Sequence, residues 1–197
     1  MTYAEEILKI ASDNNGIVTT AQITHAGIHR HHLSLLVDKG LLERSERGVY
    51  ILPTVFDDEM LNLQTRFKRG IFSHETALFL LDLSDRTPIK YSMTFPHQYN
   101  TTTIDSSKVK YYRVKDEFYE IGIISIPSPN GNPVRAYNAE RTLCDILKAT
   151  SKTEIQIVTD AFKHYTRTDK KDIPLLSKYA KLFNVDKKLR SYLEVLL

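Results

Sequence analysis

Arg30, His31, His32 and Ser34 crowd into five consecutive positions, and they are the first side chains in the chain whose types suit a shared task. An arginine guanidinium can donate two parallel hydrogen bonds to a guanine edge, and histidine or serine can reach base edges or phosphates. Lys39, Arg44 and Arg47 come soon after, cations of the kind that meet a phosphate backbone and fix position rather than sequence. Thr20 opens a short helical segment ahead of them, whose N-terminal amides could hold a further phosphate. Asp38 and Glu46 would repel such a backbone, so they belong at the margin of any contact.

Catalysis has a weaker footing. Cys144 is the only cysteine, which excludes an intramolecular disulfide and a multi-cysteine zinc site, and its apolar helical surroundings mark it as buried filler rather than a nucleophile. Among His29, His31 and His32, only His29 and His32 share a helix face. No carboxylate or cysteine is spaced to complete a tetrahedral set, so no metal is expected. Asp57-Asp58-Glu59 fall in the first turn of an expected helix, where dipole complementarity accounts for them. The glycines are scattered singly, with no phosphate-cradling loop and no Gly-x-Ser-x-Gly elbow. A Glu-x-Lys nuclease strand and the Gly-Ser with paired aspartates of a nucleotidyltransferase are also missing. The expectation is a protein that is not an enzyme and needs no cofactor. A generic winged-helix transcriptional repressor or a protein-interaction adaptor and, less favoured, a nucleic-acid-processing enzyme stand as alternatives.

Caps and periodicity define the elements that would hold the cationic side chains. Thr2-x-x-Glu5 is a capping box, after which Ala4, Ile7, Leu8 and Ala11 share a face until Asp13-Asn14-Asn15-Gly16 ends the helix. Thr19-Thr20-Ala21-Gln22 offers a second box for a short helix with Ile23 and Ala26 inward, stopping at Gly27. A third helix, about 29–39, buries Leu33, Leu36 and Val37, ends at Gly40, and turns His31, Ser34, Leu35 and Asp38 outward. Residues 41–44 and 48–52 then form a hairpin with the charged tip Ser45-Glu46-Arg47. Helix, glycine-containing turn, helix and hairpin make a winged helix-turn-helix over residues 1–53.

Beyond Pro53, residues 56–69 read as a helix with acidic residues early and basic ones late, so 54–69 is assigned as a linker to a second domain at 70–197. In that domain Ser73 caps a helix containing Ala77, Leu78, Leu80 and Leu81. Segments 89–95, 108–114 and 119–126 supply a small sheet, and Pro127, Pro129, Gly131 and Pro133 punctuate the stretch after it. From Asn138 onward three or four helices are expected, on apolar sets ending in Leu189, Leu193 and Leu196. The fold class is α+β.

A length of 197 residues suits two small domains. The lack of an 18-residue apolar run argues against a membrane span, and the acidic start, Glu5-Glu6, argues against a signal peptide, which together give a cytoplasmic expectation. The net charge of +3 is unevenly spread: residues 1–52 hold five Lys or Arg against six Asp or Glu, and residues 150–197 hold ten against six. Nucleic-acid contact by the N-terminal module must therefore rest on placement rather than bulk charge. The C-terminal excess includes Lys163, Arg167, Lys170, Lys171, Lys178 and Lys181, which with Tyr165 and Tyr179 could form a basic patch for DNA backbone, RNA or another anionic target.

The winged helix ending in Arg47-Gly48-Val49-Tyr50, followed by Ser73-His74-Glu75-Thr76-Ala77-Leu78 and Glu140-Arg141-Thr142-Leu143-Cys144-Asp145, resembles the AbiEi family. That family comprises antitoxins of phage-defence, abortive-infection type IV toxin-antitoxin systems. The resemblance implies a bacterial protein with two tasks. Its N-terminal domain would bind inverted repeats in double-stranded promoter DNA and repress its own operon. Its C-terminal domain would counter a nucleotidyltransferase-like toxin that uses GTP, without forming a stable complex. Taken alone, the recurrent segments have ordinary structural readings: Ser73 as a helix cap, and Arg141 with Asp145 as a surface pair at i, i+4 contributing ~0.3–0.5 kcal/mol.

Overall fold

The first unit is built on capping chemistry that the sequence states outright. The structure, a computed structural model, describes residues 2–196, with side chains as far as Glu194. Thr2 accepts from the Glu5 amide and donates its own amide to the Glu5 carboxylate at 2.8 Å, starting α1 (Tyr3–Asp13). After β1 (Ile17–Thr19), Thr19 and Gln22 exchange the same reciprocal bonds and open α2 (Thr20–His25). α3 (His31–Asp38), β2 (Glu43–Glu46) and β3 (Val49–Ile51) come next. β3 lies between β1 and β2, antiparallel to both. Ile7, Ala11, Val18, Ile23, Ile28, Leu33, Leu36 and Leu42 form the core beneath.

The hairpin differs from its expected form. β2 begins two residues later and contains Ser45 and Glu46, so the turn is Arg47-Gly48. The register shifts between Arg44 and Glu46, a β-bulge centred on Ser45. Ser45 is pinned there by Asp57 and by Asn62, whose amide donates to it at 2.9 Å. Gly48 takes φ +85°, a left-handed backbone conformation that side chains other than glycine's rarely adopt, so the turn favours a glycine.

The helix expected over 56–69 is shorter, α4 (Glu59–Arg66), and lies within the first unit. Leu61 packs against Ile17, Val49 and Ile51. Asp57 precedes the helix, and Asp58, 4% exposed, is its N-cap. The Asp58 carboxylate accepts from the Leu61 amide at 3.0 Å, from the Ser128 hydroxyl, and from the Asn132 amide at 2.8 Å. Those last partners belong to Pro127–Val134, which groups with the residues up to Lys68 in one compact unit. Asp58→Ala removes a cap and orphans two buried donors together, and is expected to cost about 2–4 kcal/mol in urea unfolding. Asp58→Asn keeps an acceptor and should cost less; equal losses would mean that the carboxylate contacts contribute nothing.

The second unit, residues 69–126 and 135–197, carries a five-stranded sheet. Its elements are β4 (Ile71–Phe72), α5 (His74–Leu80), β5 (Tyr91–Pro96), β6 (Val109–Val114), α6 (Asp116–Tyr119), β7 (Ile123–Pro127) and β8 (Pro133–Tyr137). The strand order is β6-β5-β4-β8-β7, with β4 antiparallel to β5 and parallel to β8, and β5 parallel to β6. Four helices complete it: α7 (Ala139–Leu147), α8 (Ile155–Arg167), α9 (Ile173–Leu182) and α10 (Asp186–Leu196). α7 is buried along most of its length, with Leu143, Cys144 and Leu147 against Val158, Phe162, Leu176, Ala180 and Leu189. Burial first, then the Asp145 charge, pushes the Cys144 thiol up to about 12, which keeps it protonated and unreactive. Leu193 packs at the edge of this core, and the Leu196 side chain lies outside the described residues.

Two expectations about the recurrent segments do not hold in the structure. Ser73 occupies the cap position of α5 but makes no capping bond: its hydroxyl accepts from Thr94 at 2.8 Å and meets His74 Nδ1 at 3.0 Å. Arg141 and Asp145 are not a surface pair. They are 0% and 2% exposed, because α7 is a central helix with no solvent face at those positions.

Candidate nucleic-acid interface

Four elements of the first unit surround a cleft of about 550 Å³. α3 contributes His31 and Ser34 from its exposed face, with His29 and Arg30 from the turn that leads into it. The wing supplies Arg44, Tyr50 and the Arg47-Gly48 turn, α2 supplies Thr20 and Ala21, and the end of α4 supplies Thr65, with Lys68 just beyond. Arg30, Arg44, Arg47 and Lys68 thus meet around one concavity, and among the described residues no carboxylate lines it. The unit's charge balance is neutral to acidic, but the acids lie elsewhere.

The bulge at Ser45 accounts for one of those absences. Paired residues in an antiparallel ladder share a face, and Arg44 pairs with Tyr50. A regular strand would put Glu46 on that same face by its period of two. The extra residue instead sets Glu46 opposite Val49, and Glu46 stays out of the cleft. The Asp57 and Asn62 contacts that hold Ser45 therefore also govern the charge of the cleft wall.

Of the side chains singled out in the sequence, Thr20, Arg30, His31, Ser34, Arg44 and Arg47 come together in this cleft, whereas His32 and Lys39 do not line it. His32 packs against Tyr3 of α1 with ring centroids 4.8 Å apart, and Lys39 is the C-cap of α3. Of the amides expected to hold a phosphate at Thr20, two already have partners. α2 has only six residues, the Thr20 amide donates to the Gly48 carbonyl at 2.9 Å, and the Gln22 amide donates to Thr19. His29, Tyr50, Thr65 and Lys68 were missed; Lys68 stood in a segment read as a linker. Chemically, the cleft offers guanidinium forks and an ammonium at the mouth of a helix that can enter a major groove.

The C-terminal cations fall on two helices and the loop between them. Lys163 lies 3.9 Å from Asp160 on α8, Arg167 ends that helix, Lys170 and Lys171 occupy the loop after it, and Lys178 and Lys181 are exposed on α9. Tyr165 leaves the expected patch: it is fully buried, its hydroxyl donates to Glu140 at 2.8 Å, and it accepts from the Asp172 amide. Tyr179 packs edge-on to Phe183.

The order helix, strand, helix, turn, helix and two-stranded wing is the topology of a winged helix-turn-helix, here followed by an α+β unit. Residues 5–53 match the family described as transcriptional regulator, AbiEi antitoxin, which bears out the AbiEi resemblance and supports an antitoxin and transcriptional-regulator role. Among solved structures, the chain is similar to that titled the crystal structure of RV2827C protein from Mycobacterium tuberculosis. The match has a TM-score of 0.55 at 16% identity and covers 92% of this chain and 72% of that one, a likeness of fold. No curated protein matches the sequence. Among the described residues, no helix is long and apolar enough to cross a membrane.

Proposed function

We propose that this chain is a cytoplasmic, non-catalytic antitoxin of a type IV abortive-infection system that represses its own operon. The first unit binds inverted repeats in promoter DNA, with α3 in the major groove and the wing and Lys68 on the backbone. The second unit counters a nucleotidyltransferase-like toxin without a stable complex, with Lys163, Arg167, Lys170, Lys171, Lys178 and Lys181 as candidate contacts to an anionic target. The observation that carries the reading is the carboxylate-free cleft between α3 and the wing, in which three arginines and a lysine converge. The AbiEi match over residues 5–53, which contain the α3 and wing side chains of the cleft, supports it.

Arg30→Ala and Arg44→Ala are each expected to weaken promoter binding about 10- to 100-fold in mobility-shift titrations without altering the thermal midpoint. Log affinity should fall with log salt at a slope of about −3 to −5 per copy. In cells, Arg44→Ala should lose repression yet still rescue growth from the cognate toxin. Unchanged shifts in both variants, or a flat salt response, would favour a protein-interaction adaptor. Repression without any rescue would leave a generic winged-helix repressor.

A further inference from the structure

The second unit carries its own concavity free of carboxylates, formed where α7 hands over to α8. The connecting loop, residues 148–154, reads Lys-Ala-Thr-Ser-Lys-Thr-Glu. It borders a cleft of about 360 Å³ that α10 walls on another side. Lys148, Lys152 and Lys188 line this cleft together with the hydroxyl residues Ser151, Thr153 and Ser191. Among the described residues, no Asp or Glu lines it.

The lysines are unequal. Lys148 is held from behind by Asp145, 2.6 Å from its Nζ, a carboxylate that it shares with Arg141. Lys188 is tethered through a bond of 2.9 Å to the Leu147 carbonyl, a dipole that orients its ammonium without cancelling its charge. Lys152 is exposed and pairs with no carboxylate among the described residues. Two uncompensated cations thus face one hollow, which raises the local concentration of anions. A further observation is the start of α8 at Ile155, itself part of the cleft wall, where Glu154 in the cap position makes no side-chain capping bond. First-turn amides are thereby left for another acceptor. Ile155, Val158 and Tyr192 supply an apolar side to the same hollow.

We propose that this cleft binds a phosphorylated small molecule through its phosphate or diphosphate group, with Lys152 and Lys188 as the charge partners. The apolar wall accommodates whatever the phosphate is attached to. The occupant is a diffusible anion rather than a nucleic-acid strand, because the lysines ring a concavity instead of tracking a groove.

The test is isothermal titration of the full chain with pyrophosphate, ATP and adenosine at low ionic strength. Pyrophosphate and ATP are expected to bind one per chain, and adenosine is not. ATP tighter than pyrophosphate identifies a nucleotide that uses the apolar wall, and equal affinities identify recognition of the phosphates alone; both support the site. Lys152→Ala and Lys188→Ala should each weaken binding about tenfold. Lys108→Ala, an exposed cation elsewhere in the unit, should bind as the native chain does. Thermal midpoints of all variants separate lost binding from lost fold. The proposal is overturned if neither anion binds at millimolar concentration, or if the lysine variants bind both unchanged.

Discussion

Arg141→Ala is expected to destabilise the second unit by about 3–5 kcal/mol, the cost of stranding a buried partner charge. The fully buried guanidinium donates through Nε to Asp145 Oδ2 at 2.9 Å and through one terminal nitrogen to the Phe118 and Ile121 carbonyls at 2.7 and 3.0 Å. Its carbon lies 4.2 Å from the ring centroids of both Tyr137 and Phe183. Alanine leaves Asp145 with Lys148 alone, uncaps two carbonyls and opens a void between the rings. Gly122 adds a constraint, since a Cβ there would sit 2.9 Å from Arg141 Cβ, so the backbone is already closed against the side chain. Arg141→Lys keeps the charge but cannot serve the carboxylate and both carbonyls at once, and it should also be destabilising. The decisive comparison is Arg141→Met combined with Asp145→Leu, which removes both charges and should recover much of the loss. Urea unfolding measures all of these. A single-variant cost below about 1 kcal/mol would return the pair to the surface role that its i, i+4 spacing alone suggests.

That spacing shows where sequence reasoning reaches and where it stops. The capping boxes at Thr2–Glu5 and Thr19–Gln22 were legible because each is closed by residues three apart. The Arg141–Asp145 contact was equally legible, but its burial depends on helices and strands distant in sequence. β4 has two residues and thus no period to detect, and β8 begins at Pro133, a residue that a strand accepts at its first position but that reads locally as a breaker. The cleft in the first unit was legible through α3 and the wing, whose charges lie within one supersecondary motif. Lys68 and the bulge at Ser45 were not, because α4 and the Asp57 and Asn62 side chains place them from later in the chain. His74 belongs to the same class. A histidine in a helix's first turn reads as exposed, yet it is 4% exposed with φ +49°, its ring stacked on Tyr112 at 3.5 Å.

The burial of His74 gives the second unit an acid-sensitive window. Desolvation, the largest influence, drives its pKa down to about 4, and nearby Lys148, Lys110 and Arg141 act in the same direction against the opposing charge of Asp145. An unfolded histidine titrates near ~6.5. Between those values the unfolded chain binds a proton that the folded chain refuses, so stability falls as the pH falls. The slope is about 1.4 kcal/mol per pH unit, for a total of about 3 kcal/mol, and His74 contributes no further change below about pH 4. Asp145 acts in a separate range. Burial alone would raise its pKa, but Arg141, Lys148 and His74 outweigh burial and hold the carboxyl below the usual range. Its stabilisation is complete above the unfolded carboxylate value of ~3.9 and is lost only as the pH drops through its lower folded value. His74→Asn separates the two, since asparagine tolerates the positive φ and carries no titrating ring. Relative to the native chain, the variant should show a flattened stability profile from about pH 6.5 to 4 while keeping the steeper loss at lower pH. Urea midpoints across that range test this, and the same slope in both proteins would mean that the imidazole accepts its proton in the folded state as readily as in the unfolded one.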